Sequence, residues 1–351
     1  MAGKLARLAL RRTLSQVRYV TPVHPRDADP QTSAIYAQIE ADFGMLAPPA
    51  ALHSPSPRAL AAAWLMLRES LVTGAVDRPA KEAVAAAVSL SNSCPYCVTV
   101  HSSTLGGLSA GPDAIAIAAG DLSSVHDDRL RGIALWASAG ATRAGADGQD
   151  WPFPPAQAAE LIGVAVTFQY LNRMVNVFLG DSPLPDNAPA TARKLLGWMM
   201  GRDAAVFAEP GASLDFLPPA AGNLPWASEN PVVGEAFTRA AAAIESSTAV
   251  TEPIRSLLQD ELSDWDGEPP GLGRSWVNEA VSVLPEREQP AGRLALLTAK
   301  ASYQVDEDVV AEFRATQPDD ADVIELTAYA SMAAATKVGE WLWLGRVTAD
   351  H

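Results

Sequence analysis

Glu82-Ala-Val-Ala-Ala-Ala-Val-Ser-Leu-Ser-Asn-Ser-Cys94-Pro-Tyr-Cys97-Val-Thr-Val-His101 is the stretch on which the fold class turns. It begins as an Ala-rich run with the propensity of a helix. Ser91-Asn92-Ser93 interrupts the run. Pro95 suits the first position of a second helix, where its missing N–H costs nothing, so Ser93 or Cys94 becomes the N-cap and Cys97 falls in the first turn. From Ala83 to Pro112, 30 residues pass without Asp, Glu, Lys or Arg. A spanning helix needs about 20 apolar residues in a row. The polar break and His101 deny that, so the stretch reads as buried interior.

Outward from this stretch, nearly every periodic segment is helical in spacing and rich in Ala and Leu, while alternating Val/Ile/Thr runs are scarce. The fold class is all-α. The pattern predicts helices near 33–43, 57–73, 79–91, 95–105, 112–119, 126–144, 155–179 and 189–207, then 232–246, 252–263, 273–283, 289–303, 306–315 and 320–345. With 351 residues, 48% apolar and 19% charged, the chain is long enough for two packed units, and its 2 cysteines exclude a disulfide scaffold. A formal charge of −15 argues against a nucleic-acid partner. The composition reads as a cytoplasmic protein without a membrane span.

The expected organisation has four parts. Residues 1–30, with Lys4, Arg7, Arg11, Arg12 and Arg18 and no acid before Asp27, form a basic helix or arm packing on the body. Residues 31–207 are a helical domain holding both cysteines, 208–231 a Pro/Gly-rich linker, and 232–351 a second helical domain. The two domains look like copies. Pro57 and Pro231 each open a helix, Ala134–Arg143 resembles Thr327–Lys337, and Ala86–Ser91 runs parallel to Leu297–Ser302 at an offset of 211. That offset sets Arg293 against Glu82, Val305 against Cys94, Asp308 against Cys97 and Glu312 against His101, so the second copy would be degenerate.

The spacing around the cysteines carries chemistry. Both thiols lie at a helix N-terminus, where the dipole favours a thiolate, so a lowered pKa is expected. His101 follows Cys97 by four residues and shares its helix face, in position to take the thiol proton and return it to a leaving oxygen. If the two helices pack across the break, Glu82 approaches His101. Its charge-poor surroundings predict a raised pKa suited to shuttling protons. Other readings of the cysteines are a zinc half-site completed by Glu82 and His101, a glutaredoxin-type pair, and inert buried thiols. A closed zinc site needs four ligands. A glutaredoxin-type pair follows a strand in a βαβ unit, whereas an Ala-rich helix precedes this one. Elsewhere, Asn172 and Asn176 beside Arg173 suit interhelix hydrogen bonds or a pocket wall, Trp64 and Trp136 suit the core, and His53 suits a cap on the following helix. His53, His101 and His126 show no metal-ligand spacing.

Glu82-x11-Cys94-x-x-Cys97-x-x-x-His101 resembles the active-site signature of the alkylhydroperoxidase D family, within the carboxymuconolactone decarboxylase superfamily of all-helical proteins. Asp42-Phe-Gly-Met-Leu-Ala-Pro-Pro, His53-Ser-Pro-Ser-Pro and Phe168–Asn176 resemble a longer branch of it. The resemblance implies a helical bundle in which Cys97 attacks an organic hydroperoxide and becomes a sulfenic acid. Cys94 then resolves that acid as a disulfide, and Glu82 and His101 relay protons. It also implies a dithiol reductant, in the family a lipoyl group on a carrier protein, no metal, flavin or haem cofactor, and a homo-oligomer. The chain departs from characterised peroxidases at Tyr96, where those relatives often carry histidine; a tyrosine there can donate a hydrogen bond but not act as a base. Two further functions stay open, a decarboxylase acting on a lactone acid and a non-catalytic redox-sensing scaffold.

Overall fold

A computed structural model of the chain describes residues 14–108, 111–184, 190–204 and 208–347. Among them there is no strand, and the fold is all-α. The first half runs α1 (Pro30–Phe43), α2 (Pro48–Ala51), α3 (Pro57–Leu67, continued by a π-turn over Arg68–Val72), α4 (Arg78–Ser91), α5 (Pro95–Leu108), α6 (Gly111–Ala118), α7 (Asp128–Ala139), α8 (Arg143–Ala146), α9 (Ala158–Phe178) and α10 (Ala190–Ala204). The second half runs α11 (Pro231–Glu245), α12 (Glu252–Ser263), α13 (Ser275–Val281), α14 (Gln289–Ala301), α15 (Glu307–Arg314) and α16 (Asp320–Val347).

Local chemistry sets the starts of these helices. Asp29, Ser56, Asp77 and Asn230 each cap a helix whose first turn holds a proline, their side chains accepting from backbone N–H groups that have no partner within the helix. The 126–144 pattern resolves into two helices, because the chain turns at Gly140–Thr142.

The centre is α9, in which every residue but Asn176 is buried. Among its polar side chains, Glu160 is partnered within the core by Lys81, Gln169 by Arg173 and Asn172 by Ser89. It packs along α16 and against α4 and α3, while α5 lies between α4 and α10, and α11 lies on α3. One continuous core therefore draws side chains from both halves of the chain. Residues 208–230 hold no α-helix, only single 3-10 turns at Leu214–Phe216 and Pro225–Ala227, and Pro231 already opens α11. They are nevertheless pinned to the body: Ser213 is fully buried and its Oγ donates to Glu69 Oε1 at 2.6 Å.

Of the expected basic arm, Lys4, Arg7, Arg11 and Arg12 lie outside the described residues, as does the end of the expected 189–207 helix. Arg18 does pack on the body, its backbone N–H donating to Phe178 O at 2.8 Å and its guanidinium to Leu179 O. Trp64 and Trp136 are core residues, as their spacing predicts. His53 is not a cap. Ser56 caps α3, while His53 is fully buried, stacks on Tyr170 with ring centroids 5.6 Å apart, and is pushed by burial down to a pKa of about 4.

A buried ion pair fixes α4 against α9. Lys81 Nζ lies 2.6 Å from Glu160 Oε2, with both side chains almost wholly enclosed. Lys81 also donates to Thr73 O, and Glu160 accepts from Ala75 N at 2.9 Å and Val76 N at 3.0 Å. The loop between them needs Gly74, whose φ is +101° and where a Cβ would collide with the Glu160 carboxylate. Lys81→Met strands a buried anion and is expected to cost about 3 kcal/mol in denaturant unfolding. The double variant Lys81→Met/Glu160→Gln should recover more than half of that loss; equal losses would show that the charge of Glu160 is not what Lys81 neutralises.

Candidate active site

The break between α4 and α5 is a tight turn closed by local hydrogen bonds. Cys94 N donates to Ser89 O at 2.9 Å, Ser93 takes a left-handed φ of +52°, and Val98 N donates to Cys94 O at 3.0 Å, which makes Cys94 the N-cap position of α5. Asn176 on α9 holds the turn from outside, its Nδ2 donating to Asn92 O at 3.1 Å. The interhelix role of this asparagine is thus realised.

The structure brings the four expected side chains together. His101 Nδ1 lies 2.6 Å from Glu82 Oε2, and Glu82 is fully buried. Cys94 and Cys97 are free thiols, both buried, three residues apart at the start of α5. Cys97 and His101, but not Cys94, line a cavity of about 100 Å³ whose wall is otherwise largely apolar, with Phe43, Leu67, Leu71, Val100 and Phe168 among its residues. The edge of one ring meets the face of the other where Phe168 packs on His101, with centroids 4.3 Å apart. The loop that follows α1 supplies Met45 and Ala47 from the segment 42–49.

Two electrostatic expectations are overturned. Glu82 is not a high-pKa shuttle. Burial, the largest single influence, would raise its carboxyl, but Arg78 and then His101 pull the other way and together hold it below the usual carboxylate value. Arg78 Nε donates to Glu82 Oε1 at 2.7 Å from one helical turn earlier on α4. Since an ionised carboxylate only accepts, His101 Nδ1 carries the proton in this bond, which leaves Nε2 as the basic nitrogen. Arg78 is the residue that the sequence reading missed, and its i, i+4 spacing to Glu82 was the available signal.

Nor is the Cys97 thiol acidified. Burial and then the neighbouring Cys94 sulfur push it well above the ordinary thiol value, against a smaller opposing influence of the Asn172 amide. The helix N-terminus contributes about 1 kcal/mol at best, less than desolvation of a thiolate in an apolar wall. Tyr96 also lines the cavity, and burial followed by the charge of Cys97 and Cys94 pushes its phenol upward, so it stays a donor. Among the described residues, no three His, Cys, Asp or Glu side chains are grouped to hold a metal ion.

Two comparisons bear on this site. The model of the carboxymuconolactone decarboxylase family matches residues 58–139, the span from α3 to the end of α7 that contains Arg78, Glu82, both cysteines and His101. Over most of its length the chain is also similar to a protein of Mycobacterium tuberculosis named alkyl hydroperoxide reductase, at 34% identity over 330 residues, which are 93% of this chain and 95% of the relative.

The Arg78–Glu82 pair carries a pH signature. A depressed carboxyl stabilises the fold above the unfolded value of about 4.3 and loses that contribution as the pH falls through the lower folded value. Arg78→Met removes the larger of the two opposing charges, so burial prevails and the carboxyl rises. Thermal melts should then show a gap between wild type and variant worth about 3 kcal/mol at pH 7 that closes as the pH drops below 4. A gap independent of pH would mean that Arg78 acts through packing alone.

Proposed function

Because the chain belongs to the carboxymuconolactone decarboxylase family, in its alkylhydroperoxidase D-like branch, we propose that it is a thiol-dependent peroxidase that reduces organic hydroperoxides. The observation that carries this reading is the placing of Cys97 and His101 on one wall of an apolar cavity, with the buried Cys94 thiol three residues before Cys97 at the start of α5. The name of the mycobacterial relative supports the substrate class.

In the proposed cycle the Cys97 sulfur attacks the outer peroxide oxygen and the O–O bond breaks. The thiol proton passes to His101 Nε2 and from there to the departing alkoxide, which leaves as an alcohol, while Cys97 becomes a sulfenic acid. The Cys94 thiol then attacks the sulfenic sulfur, forming a disulfide and releasing water. An external dithiol, by analogy a lipoyl group on a carrier protein, reduces that disulfide and is itself oxidised. Burial of Cys97 keeps the resting thiol protonated, so the reaction depends on a base. Glu82, held anionic by Arg78, fixes the His101 tautomer and stabilises the imidazolium, the part an aspartate plays in a hydrolase triad. No metal, flavin or haem takes part in this cycle. No helix among the described residues is long and apolar enough to cross a membrane.

The second half is proposed to be a degenerate copy of the first within a homo-oligomer. Its α14 packs on both α15 and α16, as α4 packs on both α5 and α7. At the positions matching Glu82 and His101, Arg293 and Glu312 form an ion pair of their own. Val305 stands at the turn between α14 and α15 where the first half has Cys94, and no thiol is left there to oxidise.

Cys97→Ser is expected to abolish hydroperoxide consumption with a dithiol donor, and His101→Asn to lower kcat/KM about a hundredfold. Full turnover in the Cys97 variant would eliminate thiol catalysis at this residue.

A further inference from the structure

The cavity that holds Cys97 also receives a thioether, from α10. Along Gly197-Trp-Met-Met-Gly201 the two methionines have different surroundings. Met199 is 42% exposed, whereas Met200 lines the cavity with Cys97 and His101. The glycines let α10 lie close on α5, for a Cβ on Gly201 would meet the Gly107 carbonyl carbon at 2.6 Å. Thr104 places the Met200 sulfur. Cys97, His101 and Thr104 follow one another by four and three residues on one face of α5, and Thr104 Oγ1 lies 3.8 Å from Met200 Sδ. The hydroxyl proton goes to the stronger acceptor, Val100 O at 2.9 Å, so the sulfur lone pairs stay free.

We propose that Met200 is a site of oxidation by the hydroperoxide held in this cavity, reached once Cys97 is tied up in its disulfide. The proposal rests on the peroxidase reading for that substrate and that disulfide. A thiolate is the better nucleophile, so while the dithiol donor keeps pace Cys97 consumes what enters. When peroxide exceeds the donor, the Met200 sulfur attacks the outer peroxide oxygen. An S–O bond forms as the O–O bond breaks, and the hydroxyl proton of the peroxide passes to the departing alkoxide. The thioether is oxidised to a sulfoxide, the hydroperoxide is reduced to an alcohol, and no other reactant enters. The product sets a polar oxygen into a largely apolar wall, and it records turnover that has outrun its reductant. Met45 is the other thioether in the lining, and no hydrogen bond places its sulfur.

The test reads competition within one peptide. The full-length protein is given one equivalent of tert-butyl hydroperoxide, small enough for a cavity of about 100 Å³, to close the disulfide, and then an excess without donor. After trypsin, fragment ions of residues 195–202 separate Met199 sulfoxide from Met200 sulfoxide. Exposure alone puts Met199 first. Delivery from the cavity should instead oxidise Met200 roughly tenfold faster than Met199, because bound peroxide acts at a high effective concentration. Hydrogen peroxide has no organic part for the apolar wall to hold and should oxidise Met199 first. Three results would each overturn the proposal: Met199 or Met45 leading Met200 with the organic peroxide, no oxidation of Met200, or the same lead for Met200 with hydrogen peroxide, which would trace it to intrinsic reactivity of that thioether. Alkylation of samples taken after the first equivalent reports on Cys97 separately. A Cys97 still open to alkylation would sink the peroxidase reading, and the order of the methionines would still decide whether the cavity delivers peroxide to Met200.

Discussion

Two adjacent charges buried near the start of α4, Lys81 and Glu82, must each be neutralised inside the core. Neighbouring residues on a helix point about 100° apart, so one partner cannot serve both. Lys81 turns to Glu160 on α9, and Glu82 turns to Arg78 on its own helix and to His101 on α5. Since an unpaired ion at either position would cost several kcal/mol, the two pairs fix α4 in register with α9 and α5 together. Two contacts at the site follow from that register: the approach of His101 to Glu82 and the seating of Phe168 on His101.

The same enclosure sets the reactivity of the thiols. Desolvation raises Cys97 further than a helix terminus can lower it, so the resting sulfur is a poor nucleophile toward passing reagents. What restores its reactivity is local and directional: a base with its tautomer fixed by a carboxylate. The apolar cavity in front of the sulfur offers the organic part of a hydroperoxide a place to leave water. An oxidised Cys97 has the Cys94 thiol three residues away at the start of the same helix.

Features governed by short sequence separation could be read from the chain. Helical periodicity located the helices to within a few residues, and the four-residue step from Cys97 to His101, with the Ser91–Ser93 break, placed Glu82 beside the imidazole. Charge states could not be read this way. The acidity of Glu82 depends on Arg78, which a search for the pair at i, i+4 would have found. Burial of Cys97 depends on α9 and on the loop after α1, and burial of His53 on Tyr170, all distant in sequence. The 208–231 segment has the composition of a solvated linker, yet Glu69, a residue far from it in sequence, draws Gly211 and Ser213 onto the π-turn.

Oxidation of the reduced chain by a single equivalent of an organic hydroperoxide, followed by alkylation, peptide mass spectrometry and quantification of the alcohol, tests the redox role of the pair most directly. If Cys97 is the nucleophile and Cys94 resolves it, one equivalent of alcohol forms, both thiols lose their reactivity to alkylation, and the peptide carrying residues 94–97 holds an internal disulfide. Alcohol formation with both cysteines still open to alkylation, or no reaction of either thiol, would contradict it.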